Sequence, residues 1–305
     1  MKIVVFGGSG FLGSHVADEL TRLGHEVTIF DKTESLYANE KQAMVVGDIM
    51  DADAVYLAMK GQDIAYNFAG LADLNASIAR PKETFELNVI GNINILEAAA
   101  KAKLKRYVYA STVYVFSKKG SFYGISKSAS ERVIEEYAEQ KKLPFTIVRY
   151  GSVYGPRADK SNRIYRILRQ ALEEGKITFQ GNGEEEREYI HVRDAARLSA
   201  EVLKDEFVGQ HIMLTGTERY KYSDLLKIIN EIMEGRIQIV YLNEDYRGHY
   251  VMTPYSFSPK ASHKLVANPF TDFGQGLLET VETIYQDLEV QEKETTKKKQ
   301  KKSGS

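Results

Sequence analysis

Tyr123 and Lys127 stand four residues apart. On a helix that spacing puts both side chains on one face, one above the other. A free phenol has a pKa near ~10, too high for a base at neutral pH. An ammonium within a few ångströms favours the phenolate and lowers that pKa. Such a pair suits removal of a proton from an alcohol or sugar hydroxyl while hydride leaves the same carbon. Tyr and Lys one turn apart are also ordinary neighbours on a helix face, so the reading needs a hydride acceptor elsewhere in the chain.

The N-terminus has the pattern of a site for one. KIVVF at 2–6 is a short apolar run, GGSGFLG follows at 7–13, and an amphipathic stretch runs to Leu23 before Gly24. This reads as strand, glycine turn, helix and helix stop. Gly7, Gly10 and Gly13 have the spacing in which the first permits a tight turn, the second a close backbone approach to a pyrophosphate, and the third tight helix–strand packing. The diphosphate would sit at the helix N-terminus, where free N–H groups and the dipole favour an anion. A second strand, EVTIF at 26–30, ends at Asp31. An acid there bonds the adenosine ribose hydroxyls and repels a 2′-phosphate, so NAD is expected over NADP. Lys32 beside it could partly offset that repulsion.

The elements that follow must bring these groups together. AMVV at 43–46 reads as a strand closed by Gly47, Asp48 and Ile49. Asp48 either reaches the adenine edge or serves as a turn acid or N-cap for a helix from Ala52. IAYNF at 64–68 is a fourth strand, ending in Ala69 and Gly70. A long helix is expected over 88–100, a fifth strand over 106–110 ending at Ser111 and Thr112, and the Tyr123–Lys127 helix over about 123–141. FTIV at 145–148 leads into RYGSVYGP at 149–156. Alternating strands and helices imply an α/β fold: a Rossmann-type doubly wound parallel sheet. Ligands gather at the carboxyl ends of such strands, where Asp31, Asp48, Ala69, Thr112 and Ser152 all fall. After Pro156 the pattern loosens into a smaller C-terminal α/β lobe, with Ser223 expected to cap a helix to Met233 and a last helix from about Asp272 to Leu288. The expected organisation is a dinucleotide-binding domain over 1–156, its sheet completed by parts of 177–214, and a substrate lobe over 157–288.

Composition narrows the classes. The 305 residues carry a net charge of −1, so no global basic field argues for nucleic acid as a partner. There is no cysteine, hence no disulfide framework, thiol nucleophile or thiolate-bound metal, which fits a cytoplasmic location. No carboxylate and histidine spacing suggests a metal, and His191 and His211 read as structural. No apolar run approaches the roughly 18 residues of a membrane span. The end of the chain, 293–305, has six lysines and one glutamate, and 289–305 is expected to be a disordered tail.

Seven stretches carry a resemblance: GGSGFLG (7–13), NFAGL (67–71), NVIGNINILEAA (88–99), YAST (109–112), YGISK (123–127), RYGSVYGP (149–156) and REYIHVRDAA (187–196). In this order and spacing they resemble the extended short-chain dehydrogenases/reductases of the NAD-dependent nucleotide-sugar epimerase/dehydratase family, over about residues 2–288. The resemblance implies NAD as cofactor and a nucleotide-diphosphosugar substrate. It implies that Tyr123 removes a proton from a sugar hydroxyl, usually at C4, and that Lys127 lowers its pKa and bonds the nicotinamide ribose. A hydroxyl at the end of the fifth strand polarises the same sugar oxygen. YASTVYVFS aligns in two ways: one gives Thr112, the other puts Ala110 there and leaves no hydroxyl. Thr112 is preferred because it directly follows Ala110 and Ser111 at the strand end. Cofactor contacts are implied at Gly7, Gly10, Phe11, Leu12, Gly13, Asp31, Lys32, Asp48, Ile49, Phe68, Ala69, Gly70, Asn88, Tyr150 and Val153, besides Tyr123 and Lys127. Substrate contacts are implied at Thr112, Ser152, Arg187 and Arg247, the arginines suiting a diphosphate by their planar fork. The resemblance also implies a homodimer through the helices near 85–101 and 124–141.

Three departures qualify the activity. The 4,6-dehydratases carry an acidic pair after the catalytic Thr, and Val113 and Tyr114 stand here. The fucose-synthase type uses a cysteine, and this chain has none. The asparagine usual before the V-Y-G-P run is Ser152, next to Gly151 in place of a bulky residue. A C4 epimerase is therefore expected first, with a net dehydrogenase, 4-keto reductase, dehydratase or decarboxylase as the alternative, and a non-enzymatic NAD-binding protein behind both.

Overall fold

The structure is a computed structural model, and it describes residues 1–242 and 262–303. Its first half runs β1 (Lys2–Phe6), α1 (Phe11–Arg22), β2 (Glu26–Asp31), β3 (Gln42–Val46), α2 (Ala52–Met59), β4 (Ile64–Asn67), α3 (Leu74–Ala79) and α4 (Pro81–Phe85). A π-helical turn (Glu86–Ile90) leads into α5 (Gly91–Ala102), then come β5 (Arg106–Thr112), a 3-10 turn (Val113–Phe116), α6 (Ser121–Lys141) and β6 (Phe145–Tyr150). The second half contains β7 (Ser152–Tyr154), α7 (Arg163–Glu174), β8 (Lys176–Phe179), β9 (Glu186–His191), α8 (Val192–Glu201) and β10 (Gln210–Leu214). It continues with β11 (Arg219–Lys221), α9 (Tyr222–Ile232), β12 (Gln238–Tyr241), β13 (His263–Leu265) and α10 (Phe273–Ser303).

Eight parallel strands form the main sheet in the order β13-β10-β6-β5-β4-β1-β2-β3. Ile3, Val4, Val5 and Phe6 of β1 have no exposed surface, because helices cover both faces. Burying an apolar side chain of that size contributes about 1.5–3 kcal/mol. One face packs Val16, Ala17 and Leu20 of α1 with residues of α8. The other packs Val55 of α2, Ile95 and Leu96 of α5, and Ile134 of α6. The order reverses between β1 and β4, which opens a crevice at their carboxyl ends. The second half has two small sheets, β11-β9-β7 and β12-β8, around an aromatic core that includes Tyr154, Phe179, Tyr189, Tyr222 and Phe273.

Local expectations shift in four places. The tail read as disordered is helical, with α10 continuing to Ser303. Glu, Lys and Gln are good helix formers, neither Gly nor Pro interrupts the run before Gly304, and Glu289 and Lys293 pair at 3.7 Å one turn apart. The helix expected over 88–100 begins instead as the π turn, since the Asn88 carbonyl accepts the Ser130 hydroxyl at 2.7 Å. The N-cap of α2 is Asp51, which accepts the N–H groups of Asp53 and Ala54, and not Asp48. Lys221, not Ser223, holds the N-cap of α9, because β11 runs directly into the helix.

Candidate active site

The crevice is built by backbone proximity. Gly7 turns at φ 76°, and a Cβ on it would lie 2.5 Å from the Ala69 nitrogen, so the turns after β1 and β4 touch. A Cβ on Gly13 would lie 2.2 Å from the Gly7 oxygen, which seats α1 against the turn. Gly10 has only that same oxygen near its Cβ position, at 3.3 Å, and is otherwise open. Asp31 reaches back into the loop: its carboxylate accepts the Ser9 N–H at 3.0 Å and the Thr33 N–H at 3.3 Å. The acid therefore fixes the glycine loop. Lys32 and Asp48 form an ion pair at 3.2 Å. The Met50 N–H and then Lys32 hold the Asp48 carboxyl below its usual range.

Several expected cofactor contacts also hold the fold together. Asn88 is buried; its oxygen accepts the Leu71 N–H at 2.7 Å, and its amide donates to the Leu71 carbonyl at 3.0 Å and to Ser126 at 2.9 Å. That amide ties the loop containing Gly70 to α6 and leaves no polar hydrogen for a cofactor. The Tyr150 hydroxyl meets Ser199 at 2.6 Å, so the ring alone faces Phe68, which stacks on Tyr66. Ile49 is buried against Gly91, with its carbonyl accepting from Asn94 at 2.9 Å. Phe11 stands edge-on to His15, and Leu12 and Val153 pack on the α1 side of the core.

Thr112, Tyr123 and Lys127 meet at the carboxyl end of β5. Thr112 is buried, and its hydroxyl stands beside the half-buried Tyr123 phenol. Burial pushes the phenol up to about 12, and the Thr112 bond opposes the rise. Lys127 is buried too, and burial pulls it down to about 8 while Glu131 raises it. Its Nζ donates to the Ala110 carbonyl at 2.8 Å and lies 4.6 Å over the Tyr109 ring. The ammonium is thus held by the strand, one helical turn from the phenol.

The sequence reading missed the layer beneath. Tyr123, Lys127 and Glu131 recur every four residues, and that spacing was the available signal. Glu131 accepts Ser111 Oγ at 2.6 Å and pairs with Arg149 at 2.8 Å in a buried bridge. In the second lobe Ser152 pairs in register with Tyr189. Arg187 is buried, donates to the Glu186 carbonyl at 2.6 Å, and stands 5.6 Å from the Tyr222 ring centre. Arg163, the first residue of α7, stands 5.0 Å from the same ring and was also missed. Arg247 lies outside the described residues. Among the described residues no cluster of His, Asp and Glu could hold a metal, and no helix is long and apolar enough to cross a membrane.

The family model for the NAD dependent epimerase/dehydratase family matches residues 3–215, more than half the chain. The chain belongs to that family. The UDP-N-acetyl-alpha-D-glucosaminuronate decarboxylase of Bacillus cytotoxicus is 29% identical over 268 residues, 79% of this chain and 83% of that protein. The UDP-N-acetylglucosamine 4-epimerase of Methanobrevibacter ruminantium, solved with UDP-N-acetylmuramic acid, is 25% identical with a TM-score of 0.79, over 94% of this chain and 98% of that one. The UDP-glucuronic acid 4-epimerase of Bacillus cereus, solved with UDP-glucuronic acid and NAD, has the same fold: TM-score 0.83, 23% identity, 94% of this chain and 99% of that one. NAD is the cofactor of this epimerase/dehydratase family member. The residues fit it: a Cβ at Gly7 or Gly13 would strike the backbone that forms the turn, and Gly10 is open enough for a close backbone approach by a pyrophosphate.

Proposed function

We propose that this protein is an NAD-dependent nucleotide-diphosphosugar epimerase acting at sugar C4 through a transient 4-keto sugar. The observation that carries the reading is the placement of the Thr112 hydroxyl beside the Tyr123 phenol, with Lys127 one helical turn on and the glycine crevice beside them. Tyr123 takes the C4 hydroxyl proton, and Thr112 polarises the same oxygen. Lys127 keeps the surroundings positive as the phenol loses its proton. Bound NAD supplies the hydride acceptor and donor. The ketone turns in the pocket, and Tyr123 returns the proton to the reformed hydroxyl. Arg187 and Ser152, with Arg247, are assigned to the nucleotide diphosphate side. Val113 and Tyr114 after Thr112 supply no carboxylic acid for water elimination, which favours epimerisation over dehydration.

A homodimer through α5 and α6 belongs to the same reading, supported by exposed Ile90, Phe122 and Ile125 on that side. A cytoplasmic location follows from where NAD and nucleotide sugars are held. A decarboxylase is the second reading, favoured by the 29% identity to a nucleotide-sugar decarboxylase.

The test is product analysis: the protein with NAD and a panel of nucleotide sugars, examined by proton NMR and mass spectrometry. A new isomer of unchanged mass is expected. Loss of carbon dioxide or water, or a change of two hydrogens, would assign a different outcome to the same site.

A further inference from the structure

We propose that Tyr114 is a positioning residue: its ring, wedged between the turn after β5 and the start of α6, fixes where the Tyr123 phenol stands against Thr112. The proposal rests on the functional reading above and deepens it at the same site.

Tyr114 is the second residue of the 3-10 turn. Its N–H donates to Thr112 Oγ1 at 3.3 Å, and its carbonyl accepts the Ser117 N–H at 3.0 Å. That bond fixes Thr112 Oγ1 at the strand end, on the side of Tyr123. The Tyr114 ring stands edge-on to the Tyr123 ring, with centroids 6.3 Å apart at 74°. Two glycines lie along the same side chain. A Cβ on Gly120 would fall 2.7 Å from Tyr114 Cδ1, and one on Gly124 would fall 3.5 Å from Tyr114 Cβ. The aromatic ring thus occupies the space that a side chain at Gly120 would need, while a Cβ at Gly124 would stand at ordinary contact distance from Tyr114 Cβ.

The backbone leading into α6 depends on support of this kind. Gly120 and Ser121 are left-handed in succession, at φ 96° and φ 48°. A left-handed serine is strained, and such strain persists only where the surroundings over-determine it. The Gly124 N–H bonds the Gly120 carbonyl at 2.8 Å, closing the turn that contains Tyr123. The phenol therefore hangs from a strained two-residue approach, and Tyr114 packs on both the approach and the phenol. One residue sets Thr112 through its backbone and Tyr123 through its ring.

The experiment compares the NAD-loaded wild type with Tyr114→Phe, Tyr114→Leu and Tyr114→Ala. Two quantities are read: kcat and KM on the sugar found by product analysis, and the titration of Tyr123 by carbon-13 NMR of ring-labelled tyrosine, its resonance assigned with Tyr123→Phe. Tyr114→Phe should keep wild-type kcat and titration. Tyr114→Leu and Tyr114→Ala should lose roughly tenfold to a hundredfold in kcat, the range for misplaced reacting groups, with KM within about twofold and the Tyr123 midpoint displaced. If Tyr114→Ala does not fold, Tyr114→Leu decides. The proposal is overturned if the Leu variant keeps both kcat and titration, if Phe loses as much as Leu, or if KM alone rises. The titration needs no sugar. If wild type converts nothing in the panel and the Leu variant still displaces the Tyr123 midpoint, the epimerase reading fails and the positioning role stands.

Discussion

Burial and hydrogen bonding oppose each other at Tyr123. Burial drives the phenol up to about 12, and the Thr112 hydroxyl pulls it back. Tyr123→Phe keeps the ring and removes the proton carrier, so kcat should fall by about 10²–10⁴-fold with NAD affinity retained. Turnover and NAD titration check this, and surviving turnover would remove Tyr123 from the reaction. Lys127 gives a stability prediction of defined sign. Its folded pKa is about 8 against 10.5 for the free side chain. Between those values the unfolded chain binds more protons, so the Lys127 contribution raises stability as pH rises from 8 toward 10.5. Lys127→Met should lack that rise, which denaturant unfolding at pH 7 to 10 will show. These two residues were legible in the sequence, because i and i+4 on a helix face is a local relation. The Lys127 contact with the Ala110 carbonyl was not, because it depends on how α6 lies on β5.

Asn88 joins two elements that no local pattern connects. It sits in the π turn and bonds Leu71 of the loop after β4 and Ser126 of α6. Asn88→Ala leaves the Leu71 N–H and carbonyl without those partners, at about 1–3 kcal/mol for each buried group left unpaired. Urea unfolding should show a lower midpoint with an unchanged slope, and NAD should bind more weakly because the Gly70 loop loses its tie. Unchanged NAD affinity would restrict Asn88 to stability. The sequence marked Asn88 as part of the cofactor side, and the structure shows that it ties the loop after β4 to α6. The glycine turn, by contrast, was readable with its reasons: Gly7, Gly10 and Gly13 act within one strand–turn–helix unit.

Two histidines, His191 buried and His15 half-buried, make the whole molecule sensitive to acid. Burial lowers His15 and His191 from 6.5 to about 4 each. His15, on α1, bonds the Pro156 carbonyl at 3.0 Å, and His191 ends β9 at 3.7 Å from Glu279 of α10. His15 thus joins the first half of the chain to the second, and His191 joins two elements of the second. Their folded pKa is depressed, so the unfolded chain takes up protons first as pH falls below 6.5. Unfolding free energy should drop from pH 6.5 toward 5, and the drop should be shallower in a His15→Gln/His191→Gln protein. An unchanged slope would assign acid lability to carboxylates instead.

The order of strands and helices to β6, the glycine turn, Asp31 and the Tyr123–Lys127 face were determined by the sequence itself, since each depends on residues within a few positions of one another. Tertiary structure alone decided the rest. It set β13 beside β10 from residues distant in the chain, buried Glu131 against Arg149, brought Arg163 to the ring that Arg187 faces, and wedged Tyr114 against Tyr123. Those relations join separate elements, and their energy appears only when packing brings the elements together.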